Sequence, residues 1–438
     1  MNVTDEQPFL DAVFDRYADD HPRLVFADFL DDSGAPERAE LIRVQLALAR
    51  LSEDDPRRPG LLDRQAELLN QNQAEWLAHL AGLVEMVDFR RGIPDSALVD
   101  ATTFLEHGAE LFRRLRLRRL CLRDAAPVLE KLAACPLLTG VRELDLCNCD
   151  LGPNGLALLA KSPHLRNLDA IDLGFNKLDD AAVEALARSS NFANLRALAL
   201  NDNDLIGDAG ARSLADSPFF AGLTALDLSG NELGDAGATA LAGSRSLPRV
   251  RALKLAGNRI GDAGVTALAR SALFTRAVAA GPALVLRANA IGHAGAATLA
   301  ACPALRACRA LDLSHNYLGN AGAAALLASP HLGKLNALRL ARNQITDAFA
   351  LACHEHLDQL FDRLHTFDLS ANRLTRRGLN VLGAIRGGRR VHIDVSQNVQ
   401  SAPFGDAPVA VSDLLPSVLD AARLRHRVAN PRQQADGG

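Results

Sequence analysis

The chain has 438 residues, of which 48% are hydrophobic and 23% charged, so it can bury a large core and global disorder is excluded. Its formal net charge of -4 is small for this length, which argues against a dedicated nucleic-acid-binding protein. The seven cysteines are an odd number, which favours free thiols, and no apolar run approaches the length of a membrane span. The acidic start lacks the basic and apolar regions of a secretory signal, so we expect a cytoplasmic protein.

Residues 1–80 carry no repeat and are predicted to form four short helices. Apolar residues recur at helical spacing between Phe9 and Tyr17, and Pro36 suits the first position of a third helix. A fourth helix is predicted to contain Trp76, the only tryptophan. Such helices can pack together as a small all-α module that seals one end of a repeat array.

Residues 81–399 form that array, with a period of about 27 residues. Val84, Val87 and Phe89 indicate an irregular first strand, and regular repeats begin at Val141. Each regular repeat follows the pattern Leu-x-x-Leu-x-Leu-x-x-Asn-x-Leu, where alternation in the Leu-x-Leu segment predicts a short strand with both leucines in the core. A helix completes each unit, so the fold class is an α/β solenoid, a horseshoe with about eleven parallel strands on its concave face and helices on its convex face.

The asparagine of each repeat is predicted to form a ladder along the array. Its amide can donate to and accept from the backbone of neighbouring repeats, whereas a cysteine fills the space and bonds weakly. The ladder positions are Cys149, Asn176, Asn203, Asn231, Asn258, Asn289, Asn316, Asn343, Asn372 and Asn398.

A second recurring signature follows the ladder, as in Gly207-Asp208-Ala209-Gly210 and Gly234-Asp235-Ala236-Gly237. The first glycine suits a tight turn, the aspartate is predicted to cap the helix that follows, and the second glycine permits close packing. The signature lacks the Gly-Lys-Ser/Thr ending of a phosphate-binding loop, so we interpret it as structural.

Two resemblances follow from these patterns. The repeats resemble those of leucine-rich repeat proteins, in particular the subclass of the ribonuclease inhibitor and the Ran GTPase-activating protein, which implies a binding fold. The run RLVFADFLDDSGAPERAELIRVQLAL, from Arg23 to Leu48, resembles the repeat-companion domain found ahead of repeat arrays in bacterial proteins, although Phe26 and Phe29 replace the usual Tyr-Trp pair. The second resemblance implies architecture and no catalytic activity.

The C-terminal residues 400–438 are predicted to form a final helix over 412–427, followed by a disordered tail.

The open face of the array supplies the candidate binding residues. One interpretation is an acidic stripe with a local basic break that receives a cationic protein partner; the other is that aspartate is the ordinary solvated residue of a Leu-Asp-Leu repeat. The candidates are Glu143, Asp145, Asp172, Phe175, Asp227, Lys254, Asp312, Arg339, Arg342, Asp368 and Asp394.

An arginine cluster lies at the start of the array. Two interpretations are open: a contact site for an acidic or phosphate-bearing partner, or an intramolecular match to the acidic residues of the first 60 positions. Its members are Arg113, Arg114, Arg116, Arg118, Arg119 and Arg123.

Motifs for catalysis are absent from the sequence: there is no Gly-x-Ser-x-Gly, no His-Glu-x-x-His and no Walker sequence. Cys353, His354, His356 and His365 lack the paired spacing of a metal site. We therefore expect a non-catalytic protein-interaction scaffold with no cofactor, no metal, no small-molecule substrate and no membrane association. The alternatives are a regulator of a small GTPase, implied only by the resemblance, and salt-sensitive nucleic-acid binding through the arginine clusters.

Overall fold

The computed structural model describes residues 3–52, 55–115, 117–281, 283–352, 356–357, 361–386 and 390–398. The chain divides into a first unit, Met1–Cys149 with Pro163–Leu168, and a second unit, Asp150–Ser162 with Asp169–Gly438. The predicted C-terminal helix and tail lie outside the described residues.

The first unit begins with four helices, which confirms the predicted all-α module. The helices are α1 (Val3–Asp15), α2 (His21–Asp32), α3 (Pro36–Arg50) and α4 (Arg58–Trp76). Pro36 occupies the first turn of α3, where its missing N–H leaves no intrahelical hydrogen bond unmade. Phe26, Leu30 and Ile42 are almost fully buried in the core of these helices, so their apolar faces pack against one another rather than face solvent.

A β-hairpin follows the helices, where the sequence predicted a single irregular strand. It consists of β1 (Met86–Arg90) and β2 (Ile93–Asp100), which pair antiparallel. The turn uses Arg91 and Gly92, both with positive φ, and a side chain at Gly92 would collide with the backbone of Ile42. The sequence concealed β2 because Pro94, Asp95 and Ser96 interrupt its apolar alternation.

The first unit then enters the repeats. Its remaining elements are α5 (Ala101–Arg114), β3 (Arg119–Arg123), α6 (Leu129–Ala133) and β4 (Glu143–Asp145). Asp100 caps α5, because its carboxylate accepts from the N–H groups of Thr102 and Thr103 at 2.9 and 3.0 Å. β2, β3 and β4 pair in parallel.

The second unit consists of repeats that pair a short strand with a helix, as the sequence period predicted. The strands are β5 (Ala170–Asp172), β6 (Ala197–Ala199), β7 (Ala225–Asp227), β8 (Ala252–Lys254), β9 (Ala283–Val285), β10 (Ala310–Asp312), β11 (Ala337–Arg339), β12 (Thr366–Asp368) and β13 (His392–Asp394). The helices are α7 (Gly152–Leu159), α8 (Asp180–Ala187), α9 (Asp208–Asp216), α10 (Asp235–Gly243), α11 (Asp262–Ala269), α12 (Ala272–Ala280), α13 (His293–Ala300), α14 (Gly319–Leu327), α15 (Asp347–Ala352) and α16 (Arg376–Arg386).

Parallel pairing runs in register along this unit. β5 to β8 pair in sequence order, and β9 to β13 form a separate parallel sheet. Among the described residues, twelve strands thus belong to repeats, close to the eleven expected. Leu226 and Leu311 are 0% and 1% exposed, so the strand leucines form the core.

The asparagine at each ladder position bridges two repeats. Asn258 Nδ2 donates to the carbonyls of Leu228 and Leu255 at 2.9 and 3.2 Å, and its Oδ1 accepts from Leu233 N at 3.0 Å. Cys149 makes a weaker hydrogen bond at the equivalent position, where its Sγ donates to Leu122 O at 3.2 Å. Buried backbone groups in these non-helical bends are therefore paired by side chains.

The Gly-Asp-Ala-Gly signature does not work as the sequence predicted. Gly207, in an extended conformation, is the N-cap of α9, and Asp208 is already its first helical residue. A cap must precede the first helical residue, so the prediction that Asp208 caps its own helix is wrong. Its Oδ1 instead accepts from Gly234 and Gly237 of the next repeat, at 2.8 and 2.7 Å.

Within the part of the chain that is described, every helix is too short or too polar to cross a membrane.

Candidate interaction surface

The strand face is the side of the strands that carries the residue between the two strand leucines. Alternation along a strand places Asp227 on this face and Leu226 in the core. The parallel register brings successive members side by side: Asp227 is paired with Ala199 on one side and Lys254 on the other.

The aspartates of this face are turned back towards their own chain. Asp227 Oδ1 accepts from Ser229 N at 3.0 Å, and Asp312 Oδ1 accepts from Ser314 N at 2.9 Å. The same bond, two residues on, is made by Asp145, Asp172, Asp368 and Asp394. Each carboxylate thus fixes the turn that ends its strand.

The interpretation of these aspartates as ordinary solvated residues is wrong for four of them, because their side chains are buried. Asp145, Asp172 and Asp312 are each 8% exposed and Asp227 is 4% exposed. An aspartate here satisfies a buried N–H, which explains its recurrence without reference to a partner. Contact with a partner stays a prediction for these residues.

On β12, near the last described repeat, the pKa of Asp368 is raised. Burial raises the pKa of Asp368, and the nearby Asp394 raises it further, while the hydrogen bonds from Ser370 act in the opposite direction. The two aspartates face each other on paired strands. Burial first, and the neighbouring charge second, therefore favour the protonated form of Asp368.

The predicted basic break lies within β8 to β11. Lys254 Nζ is 3.4 Å from Asp227 Oδ2, and Arg339 stands between Asp312 and Asp368 in register. Arg342 is exposed in the turn that follows β11. Burial lowers the pKa of His315, and Arg342 and Arg287 lower it further, while Asp312 and Asp368 act in the opposite direction.

Phe175 is the exposed aromatic of this surface. Its side chain is 41% exposed, and its φ is 57°, in the left-handed region. The equivalent residues of the next two repeats, Asp202 and Gly230, adopt this conformation at lower cost, while His315 and Arg342 of later repeats are also large residues with positive φ. A bulky residue therefore occupies a position whose backbone disfavours it.

Between β8 and β9 the strand pairing is interrupted, a feature that the sequence analysis did not predict. The ladder positions Asn258 and Asn289 are 31 residues apart instead of about 27, and this was the available signal. The nine-residue helix α12 occupies the segment where the repeat before β6 has the short 3₁₀ turn Ser190–Phe192. We call this break in strand pairing the strand gap; it lies between Arg251–Leu255 of one repeat and Ala283–Val285 of the next.

Four of the six arginines in the cluster of the first unit form ion pairs with acidic residues later in the chain than residue 60. Ion pairs join Arg114 to Glu110, Arg118 to Glu143, Arg119 to Asp145 and Arg123 to Glu85. The sequence analysis expected acidic partners among the first 60 residues, and these recorded partners lie later in the chain. Two arginines reach the helical module by other means: the Arg118 guanidinium lies 4.6 Å from the ring centroid of Tyr17, and Arg114 donates a hydrogen bond to the His79 carbonyl. Arg116 lies outside the described residues.

No group of three or more His, Cys, Asp or Glu side chains is arranged to hold a metal ion within the described ranges. Cys353 and His354, which the sequence analysis weighed as ligands, lie outside those ranges.

Comparison with known proteins agrees with the geometry of strand and helix units. A family model described as "Leucine Rich repeat" matches residues 164–187, 193–215, 223–242, 248–269 and 309–327. An internalin (inlF) from Listeria monocytogenes, known from its crystal structure, is similar at 18% identity and a TM-score of 0.41, over 69% of this chain and 81% of that one. No curated protein matches the sequence. The chain therefore carries leucine-rich repeats, stacked as units of one strand and one helix.

Proposed function

We propose that this chain is a non-catalytic scaffold that binds a protein partner on its strand face. Leucine-rich repeats commonly serve as protein-interaction scaffolds, because stacked repeats present side chains on a continuous frame. The frame is stiffened here by ladder bonds such as those of Asn258, each of which joins neighbouring repeats.

Phe175 is the observation that carries the proposal. The left-handed backbone recurs at this position along the repeats and belongs to the fold, but an exposed aromatic placed there carries a conformational cost that Gly230 avoids. Exposed aromatic side chains also supply much of the binding energy at protein interfaces. A partner that covers the exposed part of the Phe175 ring would gain apolar contact area from it.

The other proposed contacts are charged side chains of the strands and turns, some in the first unit and most in the second. Charged groups at a binding surface select partners and orient them, even where they add little affinity. They are Glu143, Asp145, Asp172, Asp227, Lys254, Asp312, Arg339, Arg342, Asp368 and Asp394.

The proposed compartment is the cytoplasm. The described cysteines are free thiols, and five of the six are buried. Burial raises the pKa of both Cys149 and Cys308 to about 11, so these thiols stay protonated at neutral pH. Unpaired cysteines used as small core residues are typical of a reducing compartment.

Site-specific photo-crosslinking tests the proposed function. A benzoylphenylalanine is placed at Phe175 or Arg342 on the strand face, or at Thr239, an exposed residue of α10, as the matched control. In cells that express the chain natively, we expect a discrete crosslinked protein from the two strand-face positions and none from position 239. Crosslinking from α10 alone would overturn the proposal.

A further inference from the structure

We propose that the turns after β9, β10 and β11 bind an acidic segment of a protein partner. We call this surface the basic turns; its side chains are Arg287, His315, Tyr317 and Arg342. The inference rests on the proposed function, because it names the chemistry of the partner and the place where part of it would bind. The contact between the turns, the charge of two arginines and an exposed tyrosine each support it.

The three turns lie side by side and are joined by backbone hydrogen bonds. His315 N donates to the carbonyl of Ala341, the residue before Arg342, at 2.7 Å. Ala288 N, which follows Arg287, donates to the turn after β10 at 2.8 Å. Neighbouring turns are therefore held at about the 4.8 Å spacing of paired strands, so that one extended segment can contact all three.

Two arginines of the basic turns carry charge that no acid of the described chain neutralises in an ion pair. Arg287 and Arg342 are both exposed and have no ion-pair partner among the described residues. By contrast, Lys177 Nζ in the turn after β5 lies 2.7 Å from Asp150 Oδ1, so its charge is balanced within the chain. An unpaired guanidinium suits a carboxylate, which it can hold through two parallel hydrogen bonds.

The acids nearest to the basic turns are held by their own strands. Asp312 and Asp368 each accept a hydrogen bond from the backbone N–H two residues on, at 2.9 and 2.8 Å. Both lie close enough to His315 to act on its pKa against the two arginines. Asp312 is only 8% exposed, whereas both arginines are exposed, so the charge presented to a partner is positive.

Positive charge is unusual along the strand face of the second unit. The chain has a formal net charge of -4, and the strand-face position carries aspartate in β5, β7, β10, β12 and β13. β8, β9 and β11 carry Lys254, Val285 and Arg339 instead. An acidic segment is therefore attracted to the region of β8 to β11 and repelled by the aspartates beyond it, which fixes where it binds.

Tyr317 supplies an apolar contact beside these charges. It is 62% exposed, the largest exposed fraction of any large hydrophobic side chain in the described ranges. Tyr317 and His315 flank the buried Asn316, and the equivalent residue of the turn after β9 is Ala290, whose short side chain leaves the ring uncovered. Tyrosine and arginine are enriched among the residues that dominate binding energy at protein interfaces. A segment with one apolar residue among its acidic ones matches both features.

A nucleic acid is the other common polyanion, and the basic turns fit it less well. Proteins that bind single strands stack successive bases on a series of aromatic side chains along a basic groove. Tyr317 is the one Phe, Tyr or Trp residue in the three turns, so it can stack a single base. The observations therefore favour an acidic protein segment.

The probe is a fluorescein-labelled peptide, Glu-Asp-Glu-Leu-Glu-Asp-Glu, titrated into the full chain and followed by anisotropy. A control peptide has glutamine and asparagine in place of the acids, and an oligothymidylate represents a nucleic acid. We expect the acidic peptide to bind with a micromolar Kd, which rises as salt is added, and the neutral peptide to bind about tenfold more weakly. Absence of binding by the acidic peptide, or tighter binding of the oligothymidylate, would overturn the proposal.

The protein variant is Arg287→Gln with Arg342→Gln, and the matched control is Arg212→Gln with Arg270→Gln. The control removes the same net charge from exposed residues in α9 and at the end of α11. The first variant should weaken binding of the acidic peptide about tenfold and the control less than about twofold, because only the first removes the contacts. Tyr317→Ala should weaken it about fivefold. Equal losses in the two double variants would show general electrostatic attraction and would sink the proposal.

The two proposals fail in different ways. If a partner crosslinks at Phe175 equally in wild type and in the Arg287→Gln/Arg342→Gln variant, and the acidic peptide does not bind, the proposed function stands and the basic turns are not its contact. If the peptide binds as expected but no protein crosslinks at Phe175, the basic turns stand and the function proposed for the strand face fails. A crosslink at Phe175 that the double variant reduces would support both.

Discussion

Asp208 caps the helix of the following repeat through Gly234, and the motif that supplies this bond recurs along the array. Its Oδ1 also accepts from Gly237, and Asp180, Asp235 and Asp262 make the same pair of bonds to their next repeats. A side chain at Gly237 would come within 2.6 Å of the Asp208 carboxylate. The signature is therefore a connection between repeats, since each aspartate needs the glycines of its neighbour.

Removing this connection should destabilise the second unit. Asp208→Ala leaves two helix N-terminal N–H groups without their acceptor, so we expect the free energy of unfolding to fall by about 2 kcal/mol in urea. Asp208→Asn keeps an acceptor oxygen and should cost less than half as much; Asn320 already bonds to Thr346 N in this way at 2.8 Å. Equal losses in the two variants would show that the shared oxygen is not what holds the repeats.

Substitutions at two equivalent positions of the asparagine ladder should change the free energy of unfolding in opposite directions. Asn258→Ala strands the carbonyls of Leu228 and Leu255 and the N–H of Leu233, and should cost about 3 kcal/mol. Cys149→Asn replaces a weak thiol donor by an amide aimed at the same kind of carbonyl and should gain about 1 kcal/mol. Thermal unfolding measures both, and a loss at position 149 would mean that the pocket is shaped for sulfur.

Low pH should weaken the hydrogen bonds that the Asp347 carboxylate accepts from Thr375 of the next repeat. Burial pushes the pKa of Asp347 up, but hydrogen bonds from Thr375 and Gly378 and the charge of Arg377 lower it below its usual value. The ionised carboxylate thus adds stability above its unfolded pKa of about 3.9, and the contribution is lost as pH falls through the folded value. The stability advantage of wild type over Asp347→Asn should shrink as pH falls below about 4.

Asp368 provides the control of opposite sign. Its pKa is raised, so the folded protein holds that proton more tightly than the unfolded chain does. Ionisation then opposes folding, and wild type should lose stability relative to Asp368→Asn as pH rises through the raised value. Denaturant titrations at several pH values measure both differences, and the same trend for both residues would contradict the assignment.

The repeats were predictable because their physical requirements recur. A strand leucine that must be buried and a bend that must be paired by an amide reappear at every repeat, so Leu226 and Asn258 could be placed from spacing alone. Cross-repeat partners could not be placed in this way. The acceptor role of Asp208 depends on the stacking offset between helices, which no single repeat encodes.

The strand face was the harder part for a related reason. Alternation put Asp227 on the correct side of its strand, but its low exposure arises from the turn bond to Ser229 and from Lys254 beside it. The strand gap between β8 and β9 left only two traces in the sequence, the longer step to Asn289 and Pro282, which as a proline carries no N–H for pairing. Pairing across strands is a tertiary property, and it overrides local pattern.

Phe175 should show a trade-off between stability and binding. Phe175→Gly removes a side chain from a left-handed position that costs an L-residue about 1–2 kcal/mol, partly offset by the greater unfolded-state entropy of glycine. We expect the variant to be more stable by up to about 1 kcal/mol and to lose most of the partner captured at Arg342.

The matched control for this last prediction is Gln397→Gly, which changes an exposed residue with φ 58° at the equivalent position of the final repeat. It should gain similar stability, because the backbone relief is the same, and should retain the partner, because no aromatic is removed. Thermal unfolding and crosslinking yield are measured on both variants. Equal crosslinking by Phe175→Gly and wild type would show that the exposed ring is tolerated by the fold but not used in binding.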